Sequence, residues 1–152
     1  MIKITFNKAV PGLILIMIIS GTAMFIPGGI LDITSTSEFC GLCHVMKGEY
    51  ETWFLTGVHR NIKCVDCHVP NDCAVNHFIW KGIDGTKDVL FFYSRMFSDR
   101  ITATGHAKKV IRKNCVRCHG AMVSRINVEE RECWSCHRRI NHKFADFSYI
   151  NK

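Results

Sequence analysis

The hydrophobic pattern changes character once along the chain. Residues 9–31 (AVPGLILIMIISGTAMFIPGGIL) carry no charged side chain, whereas charge interrupts the sequence throughout the part that follows Asp32. At 1.5 Å per residue, a helix over that run reaches about 34 Å, enough to cross a bilayer core of about 30 Å. Its densest part, residues 13–26, suits a cleavable signal peptide nearly as well, but no A-x-A site follows it. A retained transmembrane helix is therefore expected. Pro11 fits a first helical turn, and Pro27 with Gly28 and Gly29 marks the exit. Lys3 and Lys8 precede the run, while Asp32 and Glu38 follow it. The positive-inside rule then keeps the N-terminus in the cytoplasm and exports the rest. The expected division is an anchor over residues 1–33 and an exported domain over 34–152.

Beyond the anchor the periodicity is helical. Thr86 is positioned to cap a helix over 87–97, with Val89, Leu90 and Tyr93 on one face. Residues 107–118 read as a second helix. Asn127 and Glu130 have the spacing of a capping box for a third, which would carry Cys133 and Cys136. No stretch alternates well enough to be a strand. The expected fold is mostly α, one transmembrane helix followed by a small domain of helices and long loops.

Composition alters this picture in one respect. The chain has 152 residues, 47% of them apolar and 22% charged, which is ordinary for a globule. Nine cysteines and eight histidines are not ordinary. With about 120 residues outside the anchor, such a density points to a scaffold held by covalent chemistry or metal rather than by an apolar core. The formal net charge of +7 favours acidic partners, such as haem propionates, anionic lipid or an acidic protein.

Eight of the cysteines fall into one repeated pattern: CGLCH (Cys40, Cys43, His44), CVDCH (Cys64, Cys67, His68), CVRCH (Cys115, Cys118, His119) and CWSCH (Cys133, Cys136, His137). Disulfides or two four-cysteine zinc sites would use such pairs. Neither explains why histidine follows the second cysteine every time. C-x-x-C-H is the attachment signature of c-type haem, in which both thiols bond the porphyrin and the adjacent imidazole meets the iron. Four copies predict four covalently bound haems, a tetrahaem c-type cytochrome whose macrocycles replace the missing core. The basic run Lys108, Lys109, Arg112, Lys113 and Arg117 then reads as a propionate or partner face rather than a nucleic-acid patch. Cys73, the ninth cysteine, reads as a small buried apolar residue.

Four haems have eight axial positions, and His59, His77, His106 and His142 stand outside the motifs. Counting alone permits four bis-histidine haems. The first motif disturbs that count, because Met46 lies two residues beyond His44 and both compete for one side of the ring. Thioether ligation would raise the potential of that haem and leave its other side open or weakly held.

A charge-free anchor followed closely by C-x-x-C-H-x-M and three further haem motifs resembles the NapC/NirT family of membrane quinol dehydrogenases. Within it, the chain is most similar to the short members that serve as small subunits of cytochrome c nitrite reductase. The resemblance covers nearly the whole chain. It implies iron ligation by Met46 at the first haem and by His68, His119 and His137 at the others, with His59 and His142 as distal ligands. It also implies that one remaining haem, expected to be the second, takes a lysine from the partner subunit, which leaves His77 and His106 as ordinary polar residues. A lysine and an acid seven residues apart at the family's quinol pocket map onto Lys81 and Asp88 in WKGIDGTKDVL, with Asp84 and Lys87 in the same stretch. Asp88 is then the proton acceptor and Lys81 the group that stabilises a deprotonated quinol oxygen.

The function implied is menaquinol oxidation at the cytoplasmic membrane, with electrons passed to a periplasmic multihaem cytochrome c nitrite reductase. The chain has no C-x-x-C-K motif, so nitrite chemistry belongs to that partner. The alternative is a membrane-tethered tetrahaem electron shuttle with no quinol site of its own.

Overall fold

The computed structural model describes residues 9–23, 26–96, 101–137 and 142. Among them every regular element is a helix, and none is a strand. The order is α1 (Ala9–Ala23), α2 (Ile30–Ile33), α3 (Ser37–Gly41), a 3₁₀ turn (His44–Met46), α4 (Lys47–Thr56), α5 (Cys64–His68), α6 (Ala74–Ser94), α7 (Gly105–His119) and α8 (Cys133–Cys136).

The side chains of α1 from Pro11 to Ser20 are exposed all round the helix. That distribution differs from a helix with a single buried stripe. The hydroxyl of Thr22 turns back to the carbonyls of Ile18 and Ile19, both at 3.0 Å, so it brings no unsatisfied group to that surface. α1 spans 15 residues, about 22 Å. Among the described residues, no helix is long and apolar enough to cross a membrane. The expected single helix over 9–31 is thus interrupted: Gly28 adopts a left-handed φ of 79°, Gly29 N–H donates to Ile26 O at 2.7 Å, and the chain restarts as α2.

α6 departs most from the sequence reading. It begins at Ala74 rather than beside Thr86, and it runs straight through Gly82 and Gly85. Its start is set by Cys73, which is exposed rather than buried as expected because its sulfur caps the helix, accepting from the Asn76 N–H at 3.5 Å. The Asn76 amide in turn donates to the Asp72 carboxylate at 2.7 and 2.9 Å. Its end is Arg95, in the left-handed conformation at φ 54°. α7 lies close to its expected limits, with the Thr104 hydroxyl accepting from the Ala107 N–H. The capping box expected at Asn127 and Glu130 does not form. Asn127 instead accepts from the Glu129 N–H, and α8 starts after Glu132.

The packed centre is very small. Val65, Val69 and Val110 are its buried apolar residues, and Ser37 and Asn114 are buried beside them. Asn114 on α7 donates to the carbonyls of Cys67 (3.0 Å) and Val69 (2.8 Å), which ties α7 to the end of α5. The Ser37 hydroxyl accepts from the Cys64 N–H at 3.2 Å and so joins α3 to α5. These two polar bridges hold together the helices that carry the first three motifs.

Candidate functional site

Each motif occupies a helical turn or borders one. Cys40 ends α3, the second motif is α5 itself, the third is the last turn of α7, and the fourth is α8 with His137 following. Residues at i, i+3 and i+4 share one side of a helix, so a turn of this kind presents both thiols and the imidazole together. At the first motif the close approach of α4 requires glycine: a Cβ on Gly41 would sit 2.7 Å from the Tyr50 ring.

The motifs follow one another in space in chain order. The Cys40 and Cys64 thiols are hydrogen-bonded, which pushes Cys40 far up and brings Cys64 down to about 6. Cys67 lies close enough to Cys118 to feel its charge, although burial is the main reason its thiol is raised. Cys115 is pushed up to about 11 by burial and by Cys133 beside it. First meets second, second meets third, and third meets fourth.

Two motif histidines face a second imidazole. His119 stands across from His59 with ring centroids 6.0 Å apart, and His68 across from His142 at 6.1 Å. Two imidazoles on opposite sides of one metal, with bonds of about 2.0–2.1 Å and roughly 1.1 Å from nitrogen to ring centre, stand about 6.3 Å apart. Both pairs fit an iron between them. His142 is also oriented as a ligand should be: its Nδ1 meets the Glu49 carbonyl at 3.0 Å, with the Glu49 carboxylate at 3.7 Å, which leaves Nε2 for the metal. Since His68 already faces an in-chain imidazole, this geometry does not favour the second haem for a lysine from a partner. His106 instead stacks on Trp80 at 3.8 Å, and His77 Nδ1 meets the Pro70 carbonyl at 3.0 Å. Among the described residues, no three His, Cys, Asp or Glu converge as a zinc site would need, and no cysteine is in a disulfide.

The first motif is built differently. His44 and Met46 share one 3₁₀ turn, and the His44 ring leans on Phe92 of α6 at 5.3 Å. Lys81 lies on the same side of α6, about three turns before Phe92. Its ammonium donates to the Leu31 carbonyl (2.6 Å), the Thr34 hydroxyl (2.9 Å) and the Ser35 hydroxyl. Burial lowers its pKa, and neighbouring Cys40 counteracts this. All three N–H donors are therefore engaged, through partners 46 to 50 residues away in the chain. Asp88, one heptad after Lys81, shares that side of the helix. Partial burial raises its carboxyl above the ordinary range, with Lys87 opposing and Asp84 reinforcing the shift. Lys87 itself is ion-paired with Asp84 at 2.9 Å.

Similarity to known proteins agrees with this arrangement. The chain matches the NapC/NirT cytochrome c family, N-terminal region, over residues 4–146. It is 26% identical over 124 residues to the cytochrome c-type protein NrfH of Wolinella succinogenes, covering 72% of this chain and 70% of that one. It is 24% identical over 153 residues to the cytochrome c-type protein NapC of Paracoccus pantotrophus, covering 79% of this chain and 63% of the relative. A chain in the crystal structure of the cytochrome c nitrite reductase NrfHA complex bound to the HQNO inhibitor superposes with a TM-score of 0.70 at 30% identity, covering 90% of each. With its haem-attachment turns in series and its facing imidazoles, this electron-transport chain is a c-type cytochrome with covalently bound haem and belongs to the NapC/NirT cytochrome c family.

Proposed function

We propose that this chain is a membrane-anchored quinol dehydrogenase that oxidises menaquinol beside the first motif and delivers the electrons to a periplasmic multihaem cytochrome c nitrite reductase. The observation that carries the reading is the side of α6 that holds Lys81, Asp88 and Phe92 and meets the first motif, through Cys40 at one end and His44 at the other. The similarity to NrfH, and to a chain of a nitrite reductase complex that binds the HQNO inhibitor, supports both the acceptor and the small-molecule site.

In this reading residues 9–31 cross the cytoplasmic membrane once, with the N-terminus inside and residues 34–152 on the periplasmic side. The four motifs hold four haems through their eight cysteines. Met46 binds the first iron. His68 pairs with His142, His119 pairs with His59, and His137 serves the fourth, while a lysine of the partner subunit completes one haem. Haem bound there supplies one-electron transfer in series from the membrane outward.

The chain's own residues must handle the protons. Menaquinol loses two electrons and two protons on oxidation, and a base has to accept what the metal does not. Asp88 is that base in its carboxylate form. Its raised pKa makes it a stronger acceptor than a solvated aspartate, and its exposure lets it return the proton to water. Lys81 fixes the segment after the anchor against α6. To stabilise a quinol oxygen it must exchange one of its three present acceptors.

The test is direct. Detergent-purified full-length protein should contain four covalent haems by pyridine haemochrome, and menaquinol should reduce them in a reaction that HQNO slows. Reduction by dithionite alone would leave the tethered electron shuttle as the reading.

A further inference from the structure

We infer that α6 is also a lipid-contacting helix, whose exposed apolar side lies along the surface of the bilayer that holds the N-terminal segment. The inference rests on the anchor reading above and adds a second membrane contact to it.

α6 has 21 residues, about 31 Å of helix. Among the described residues, four of its side-chain contacts with the rest of the chain fall on one side. Trp80 stacks on His106, His77 meets the Pro70 carbonyl, Lys81 grips Leu31, and Phe92 meets His44. At about 100° per residue these four occupy roughly a third of the circumference. Val75, Ile79, Ile83, Val89, Leu90 and Tyr93 fall on an arc centred about half a turn away. They are 50–80% exposed. An apolar surface of this length, rimmed by polar residues, marks an interaction site rather than a solvated face.

The occupant follows from where the helix is tied. Leu31 is the last residue of the charge-free run, and its carbonyl lies 2.6 Å from the Lys81 ammonium. A lysine side chain reaches about 6 Å, so the middle of α6 lies within roughly 10 Å of the point where that run leaves the bilayer. The direction of the apolar arc fits as well. By helical geometry Val89 is opposite Trp80, and Lys81 is roughly a quarter turn from each. With Lys81 reaching sideways to the exit segment and Trp80 holding the haem-motif domain above, the Val89 side faces the membrane. α2, beside Lys81, exposes Ile30 and Ile33 at the same level. An amphipathic helix in this position buries its apolar side about 5–10 Å into the headgroup boundary.

The experiment uses the full-length, haem-loaded protein in vesicles of phosphatidylethanolamine and phosphatidylglycerol, with and without the reductase. A photoreactive benzoylphenylalanine replaces Ile83 or Leu90 on the apolar arc, or Asp84 on the packed side. Haem content per chain checks the folding of each variant, and Ile79 substitutes for a position that fails. The expected result is phospholipid adduct, identified by mass, in several-fold excess at Ile83 and Leu90 over Asp84. Adducts to the reductase or to a second copy in place of lipid, or no excess over Asp84, would overturn it. Alkaline carbonate washing of unirradiated vesicles separates the two readings. Retention without lipid adduct removes only the α6 contact, whereas release from the vesicles removes the anchor, and the adduct then decides α6 by itself.

Discussion

Between α5 and α7, the buried valines surround Asn114, and the second and third motif histidines each face another imidazole. Around the first motif, the His44 ring rests on a phenylalanine, and a lysine and a carboxylate line the helix opposite. The difference is chemical as much as structural. A site that only carries electrons is best served by axial positions filled with groups the fold already orients. A site that also exchanges protons and admits a substrate needs an acid–base group and access to it.

The contrast can be broken from either end. The largest effect belongs to the paired imidazoles: His142→Ala and His59→Ala should each convert one haem from low to high spin, while His77→Ala and His106→Ala leave the low-spin count unchanged. Electron paramagnetic resonance of the four variants distinguishes these outcomes, and a new high-spin signal from His77→Ala would undo the ligand assignment. Asn114→Ala removes two hydrogen bonds at the centre of the closed region and should cost about 1–3 kcal/mol, read as a lower thermal midpoint with the haem count unchanged. Met46→His should keep the haem attached but lower the first potential and slow menaquinol-driven reduction, as a redox titration would register. Lys81→Ala should be mildest. Loss of an anchor worth about 1 kcal/mol predicts an about fivefold slower quinol reaction with normal haem spectra.

Much of this was legible in the sequence because it is local. Four copies of C-x-x-C-H determine their own helical turns, and the density of Cys and His in a small domain is matched, among the described residues, by a buried apolar set of only three valines. α7 could be placed from its pattern over 107–118, and it starts two residues earlier, where Thr104 caps it. α6 could not, since its cap is a cysteine sulfur and its two glycines look like breaks. The contacts that distinguish the two regions join residues far apart in the chain. Lys81 to Leu31, His142 to Glu49 and His68, and Asn114 to Val69 depend on how helices meet, which no window of sequence reports. The family resemblance singled out Lys81 and Asp88 by their spacing of seven residues, and the fold puts them on one side of one helix. Only the fold reveals that the lysine is fully engaged while the acid keeps a raised, accessible carboxyl.

The central claim is that Asp88 accepts the quinol proton, and one substitution tests it most directly. Asp88→Asn keeps the size and hydrogen bonding of the side chain but removes its capacity to take a proton. A general base contributes about 10²–10⁴ in rate, so menaquinol-driven haem reduction should fall by at least about 100-fold while dithionite still reduces every haem. The pH profile adds the sign. The carboxylate is the active form and its pKa is raised, so the unmodified protein should lose rate as pH falls through a value above the ordinary aspartate range. The residual rate of Asp88→Asn should lack that step. Unchanged menaquinol oxidation by Asp88→Asn, with the same pH profile, would contradict the account and reduce Asp88 to a surface charge.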